Sequence, residues 1–195
     1  MIDRRAFLQR SLAAAGPLIV ASLSPLLALP KAAEALGGTL PELDRPAPPF
    51  ELAGVLPPGD QGQLSLGELR GSWVVLYFYP RDFTGGCTLE ARGFQRDLQA
   101  FQAAGAAVVG ISADDPDSHA SFCSEEGLSF PLLSDPGGQV SRAYGSWIAP
   151  FSQRHTFLID PDGNLRATWV AVRPSGHSQE VLARLRELQL SPGIG

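Results

Sequence analysis

The chemistry of this chain begins with two sulfur atoms, Cys87 and Cys123, its only cysteines. Cys87 stands behind an apolar run and two glycines, Gly85 and Gly86, at a point where a helix should begin. Glycines let the backbone turn sharply without a side-chain clash. A helix start presents free N–H groups and the positive end of the peptide dipoles. An anion is favoured there, and the reactive form of cysteine is the anionic thiolate. The expected chemistry at Cys87 is therefore nucleophilic attack by sulfur.

Strands and helices must deliver that sulfur. Trp73 to Tyr79 is a continuous apolar, β-branched and aromatic run, which suits a central strand buried on both faces. Pro80 to Gly86 follows as a loop, and Leu89, Phe94, Leu98 and Phe101 fall on one helical face, with Gly105 to end the helix. Ala106 to Ser112 reads as a second buried strand, and Asp115 or Asp117 caps a helix that runs to about Gly127 and carries Cys123. Phe130 to Leu133 is a short strand and Gly138 to Tyr144 a short helix. Arg154 to Asp160 and Leu165 to Val172 are strands joined by an Asp162-Gly163 turn. Ser178 caps a last helix striped by Val181, Leu182, Leu185 and Leu188, and an earlier hairpin pairs Phe50 to Val55 with Leu64 to Leu66. Strands alternating with helices, then a closing hairpin and helix, predict an α/β fold with a mixed central sheet flanked by helices.

Composition narrows the classes. Apolar residues make up 44% and charged residues 18%, as in an ordinary globular protein. The formal charge is −5 and no basic block occurs, so nothing argues for nucleic acid. Residues 1–35 have the three-part layout of a secretory signal: Arg4, Arg5 and Arg10, an apolar stretch from Leu12 to Leu29, and a small-x-small site at Ala33-Glu34-Ala35. Arg4-Arg5-x-Phe7-Leu8 resembles a twin-arginine signal. Residues 36–41 read as a linker, 42–190 as one domain and 191–195 as a tail. The apolar stretch is short and broken by Pro17 and Pro25, so cleavage is favoured over a spanning anchor, which wants about 20 apolar residues.

From Tyr77 to Glu90 the chain reads YFYPRDFTGGCTLE, and it continues with FPLLSD at Phe130–Asp135, Tyr144-Gly145, RHTFLID at Arg154–Asp160 and Gly176-His177. These strings, with their Pro-x-x-x-Thr-x-x-Cys core, resemble the peroxiredoxins, and most of all the bacterioferritin-comigratory-protein or peroxiredoxin Q subfamily. The resemblance spans about residues 42–190 and implies a thioredoxin-like fold and thiol-dependent reduction of hydrogen peroxide and organic hydroperoxides, with no bound cofactor. It makes Cys87 the peroxidatic cysteine, whose product is a sulfenic acid. Thr84 would hydrogen-bond the peroxide, Pro80 would shape and shield the pocket, and Arg154 would reach into it with its guanidinium fork. Glu90 would support the site by ordering Arg154 or the loop. Taken alone, Thr84 also reads as a helix N-cap and Arg154 as a surface charge.

The sequence departs from the family pattern in two places. Gly85 stands where the family often has Pro, and Arg92 stands where many members carry a resolving cysteine. A second branch places that cysteine in the next helix, which makes Cys123, 36 residues beyond Cys87, the resolving cysteine in an intramolecular disulfide recycled by a thioredoxin-like donor. The alternatives for Cys123 are an inert thiol and a permanent structural disulfide. His119 lies four residues before Cys123, but two ligands are too few for a metal site. A C-x-x-C motif is absent, against a thioredoxin-type disulfide reductase. The rival classes are an exported thiol–disulfide oxidoreductase and a non-enzymatic binding module. The leader implies export, to a periplasm or a thylakoid lumen, without stable membrane insertion once the signal is removed, and the resemblance implies a monomer.

Overall fold

The computed structural model describes residues 34–35 and 37–190. Most of the signal segment and the tail at 191–195 lie outside the described residues. Within the segment read as cleavage site and linker, Glu34–Ala35 pairs with Gly38–Thr39 in a two-residue ladder.

Seven strands form one mixed sheet: β1 (Glu51–Leu56), β2 (Asp60–Ser65), β3 (Trp73–Phe78), β4 (Ala106–Ser112), β5 (Leu132–Ser134), β6 (His155–Ile159) and β7 (Leu165–Trp169). Their spatial order is β7–β6–β3–β4–β5–β1–β2. β3, β4 and β5 run parallel, and the remaining pairs are antiparallel. Among the described residues the α-helices are α1 (Gly85–Ala103), α2 (Pro116–Glu126), α3 (Gln139–Ala143) and α4 (His177–Leu190).

The unbroken apolar run at β3 is explained by burial on both faces. Val75 and Tyr77 join one core cluster with Phe94, Leu98 and Phe101 of α1, Phe122 and Cys123 of α2, and Val181, Leu182 and Leu185 of α4. Val74, Leu76 and Phe78 point the other way, onto Val140 and Tyr144 at α3 and onto Phe157 and Ile159 of β6. Each fully buried aliphatic or aromatic side chain contributes about 1.5–3 kcal/mol. Both cysteines belong to the first cluster, so α1 and α2 bring them to the same side of the sheet.

Several boundaries differ from the sequence reading. Leu89 is 51% exposed; the inner face of the first two turns of α1 holds Cys87, Glu90 and Ala91 instead. The short strand begins at Leu132 rather than Phe130, whose side chain is buried just ahead of it. Ser178 is not a cap. It lies inside α4, and its hydroxyl donates to Asp97 of α1 at 2.6 Å and accepts from Arg96 at 3.1 Å. That contact ties α4 to α1 more firmly than a cap would.

Candidate active site

The topology fixes where the site is. β3 ends at Phe78, in the centre of the sheet, and its parallel neighbour β4 forces the chain to leave at the top and return through α1. The connecting loop, Tyr79 to Thr84, delivers Cys87 as the third residue of α1. On the other side of β3, His155 of β6 pairs with Phe78, so Arg154, one residue ahead of β6, arrives at the same end. Residues 67 positions apart thus converge at the carboxyl end of a central strand. Arg154 precedes the strand rather than belonging to it, and its carbonyl accepts from the Val172 N–H at 2.9 Å.

The sulfur of Cys87 is 1% exposed and has two polar neighbours. The Thr84 hydroxyl lies 2.8 Å away and the Arg154 Nη2 3.3 Å away. Thr84 occupies the N-cap position of α1 with extended backbone (φ −87°, ψ 142°), yet its side chain makes no capping bond. The hydroxyl serves the sulfur and the Arg81 carbonyl, 3.0 Å away. It has one proton to give. With Cys87 ionised, that proton goes to the sulfur.

Arg154 is forked between Glu90 and Cys87. Its Nη1 donates to Glu90, one turn beyond Cys87 on α1, while Nη2 faces the sulfur. Glu90 is 1% exposed, and among the described residues its second oxygen has no partner. Burial pushes the Glu90 carboxyl up to about 7, against the opposing pull of the Arg154 charge. The anions around Arg154 hold its guanidinium pKa above the ordinary value despite burial, so the cation is permanent.

Gly86 acts through space, and neither glycine makes a turn. Both lie inside the first turn of α1, and a Cβ on Gly86 would sit 3.1 Å from Arg154 Nη2. The left-handed residue of the loop is Phe83, with φ +58°. Its ring packs edge-on against Phe122 of α2 at 5.1 Å, which holds an otherwise unfavourable backbone in place. Pro80 is half-buried at the start of the loop.

Cys123 is a free thiol, 8% exposed, on α2. A permanent disulfide is therefore not present. Burial, and next the charge of Asp82, push the Cys123 thiol up to about 11. The cysteine lines a cleft of about 300 Å³ with Pro57, Pro58, Ala120 and Phe130. Arg92, at the position where many members carry a cysteine, instead makes an ion pair with Glu126 of α2. Among the described residues no group of three or more His, Cys, Asp or Glu side chains is placed to hold a metal ion.

One cluster escaped the sequence reading. Asp82 is 4% exposed and accepts from the Tyr79 hydroxyl at 2.8 Å, the Ser118 hydroxyl at 2.8 Å and His119 Nδ1 at 2.9 Å. It joins the active-site loop to the helix of Cys123. In the sequence the only signal for His119 is its four-residue spacing from Cys123, which suggests no more than a metal ligand.

Comparison with known proteins identifies the family. Residues 43–168 match the AhpC/TSA family. The chain is 39% identical over 153 residues to Peroxiredoxin Bcp of Xanthomonas campestris pv. campestris, covering 74% of this chain and 94% of that one. A Xanthomonas campestris peroxiredoxin Q structure superposes with a TM-score of 0.67 at 34% identity, over 74% of this chain and 96% of that one. A structure of Xanthomonas campestris bacterioferritin comigratory protein, from work on its alkyl peroxide reduction activity, matches with a TM-score of 0.67 at 33% identity, over 74% and 96% of the two chains. With a thioredoxin-like sheet, a buried thiol at a helix start and these relatives, the chain belongs to the AhpC/TSA family as one of its peroxiredoxins, the thiol-dependent peroxidases.

Proposed function

We propose that the chain reduces hydrogen peroxide and alkyl hydroperoxides through a sulfenic acid on Cys87, resolved by Cys123 and recycled by a thioredoxin-like dithiol. The observation that carries this reading is the pair of donors on one buried sulfur, Thr84 and Arg154. The Cys87 thiolate attacks one peroxide oxygen in line. An S–O bond forms, the O–O bond breaks, and the second oxygen leaves as hydroxide or alkoxide and takes up a proton. Donors already aimed at the reacting atoms stabilise the growing charge more than the ground state. Arg154 and the first N–H groups of α1 supply them. Glu90 holds the guanidinium in place, and Pro80 narrows access.

The thiolate of Cys123 then attacks the sulfenic sulfur; the S–S bond forms, the S–O bond breaks, and hydroxide leaves and takes up a proton to become water. The donor dithiol reduces the disulfide and is itself oxidised. This requires α1 and α2 to loosen locally, since both thiols are free and buried in the reduced state. The reported alkyl peroxide reduction activity of a similar protein supports the substrate class. The arginine pair and apolar stretch of residues 1–35 support export, and we assign the working form as a monomer in a periplasm or thylakoid lumen.

The test is peroxide consumption with a thioredoxin system as the only reductant. Turnover is lost in Cys87→Ser, and a single turnover of the parent chain leaves a Cys87–Cys123 disulfide within one molecule. A disulfide between two molecules, or turnover without Cys87, overturns the reading.

A further inference from the structure

The resolving step asks for something that the reduced site lacks. Cys123 must attack as a thiolate, yet with its thiol pushed up to about 11, about one molecule in ten thousand is ionised at neutral pH. A nearby base is needed, and α2 carries one. His119 lies one helical turn before Cys123, where side chains four apart share a face with Cβ atoms about 5–6 Å apart. In the reduced structure Nε2 does not yet meet the sulfur, and the loosening of α2 that disulfide formation requires lets the two side chains come together.

His119 is fully buried. Its Nδ1 faces Asp82 at 2.9 Å. The other partners of Asp82, the hydroxyls of Tyr79 and Ser118 and its own backbone environment, leave it as an acceptor, so Nδ1 carries the proton. Nε2 is then a bare lone pair, and among the described residues it has no hydrogen-bond partner. A buried polar atom with no partner calls for an explanation. The groups around this pair are Asp82 from the loop, Tyr79 and the buried phenol of Tyr77 from the end of the central strand, and Ser118 on α2 itself. The Asp82 N–H also donates to Asp114 at 2.9 Å, and Asp114 in turn faces the exposed Arg81.

We propose that His119, oriented by Asp82, accepts the proton of Cys123 in the step that forms the Cys87–Cys123 disulfide. The proposal rests on Cys123 being the resolving residue. The S–H proton passes to Nε2, and Asp82 stabilises the imidazolium across Nδ1, the logic of a nucleophile–histidine–carboxylate relay. The Cys123 sulfur bonds to the Cys87 sulfur, and the departing hydroxide takes a proton to become water, returning His119 to its neutral form. Asp82 acts as a positioning residue: it fixes the tautomer.

The experiment is a rapid-quench single turnover with hydrogen peroxide, followed by mass analysis of sulfenic acid and disulfide. His119→Asn keeps an N–H for Asp82 and deletes Nε2. It should still form the Cys87 sulfenic acid but close the disulfide about a hundredfold more slowly, at a rate that climbs with pH. In the unsubstituted chain, which needs no variant to fold, closure should climb with pH less steeply than in His119→Asn, where unaided thiol ionisation raises it about tenfold per unit. Parent-speed closure in His119→Asn, or a tenfold climb per unit in the unsubstituted chain, overturns the proposal. Cys123→Ser separates the two ideas. If its sulfenic acid persists while His119→Asn closes at full speed, only the role of His119 fails; if it does not persist, the resolving role of Cys123 fails as well.

Discussion

Arg154 holds Glu90 with one nitrogen and stands 3.3 Å from the Cys87 sulfur with the other. The two terminal nitrogens of one rigid plane couple a buried carboxylate to a buried nucleophile. Lysine has the charge but not the fork. Arg154→Lys should therefore lower the second-order rate of the reduced enzyme with hydrogen peroxide by about a hundredfold or more, the effect of losing one aimed donor. Stopped-flow kinetics measure this directly, and a lysine variant at parental speed would show that the fork is dispensable.

Glu90 makes the site sensitive to pH. Its folded-state value, about 7, lies above the ordinary value of 4.5, so the folded chain binds this proton more tightly than the unfolded chain. Its ionisation therefore costs stability progressively as pH rises from about 4.5 to about 7, and denaturant midpoints should fall over that window by more in the parent chain than in Glu90→Gln. The same ionisation gives Arg154 its anionic partner. The parent peroxide rate should therefore carry a rise near pH 7 that Glu90→Gln lacks.

Thr84 tests the hydroxyl separately from the helix start. Its backbone sits at the N-cap, but its hydroxyl serves the sulfur and the Arg81 carbonyl and not the helix. Thr84→Val should reduce the peroxide rate by about tenfold to a hundredfold, the worth of about 1.5–3 kcal/mol in a hydrogen bond to a charged group. Thr84→Ser should retain most of it. Equal losses in both variants would point to the methyl group instead.

Gly86→Ala separates stability from activity. Alanine favours a helix by up to about 1 kcal/mol over glycine. The added Cβ meets Arg154 Nη2 at 3.1 Å, however, and displaces the guanidinium from the sulfur. The melting temperature should hold or rise while the peroxide rate falls severalfold; Gly85→Ala, whose Cβ meets nothing within 4 Å, should leave the rate near that of the parent.

The central strand and the helix of Cys87 were legible because their patterns are local: an apolar run for β3, a helical stripe through Phe94, Leu98 and Phe101, and strong turn residues between them. Cys87 and Thr84 lie within that same short stretch. Arg154 was legible only through family resemblance, because nothing in its own neighbourhood says that the antiparallel pairing of β6 with β3 carries it to the loop. Asp82 and His119 are 37 residues apart and meet only after α2 packs on the sheet, so no spacing rule finds them. The glycines were misread for a related reason. A missing Cβ can serve a turn or an approach, and the space that Gly86 leaves is filled by a residue from a distant strand end.

The most direct measurement is the rate at which the fully reduced chain reacts with hydrogen peroxide, set against free cysteine at the same pH. A buried thiolate served by Thr84, Arg154 and the first turn of α1 should react at least about a thousandfold faster, since each aimed donor is worth a factor of about a hundred or more. Reaction at the speed of free cysteine would contradict the account, whatever the chain's resemblance to its relatives.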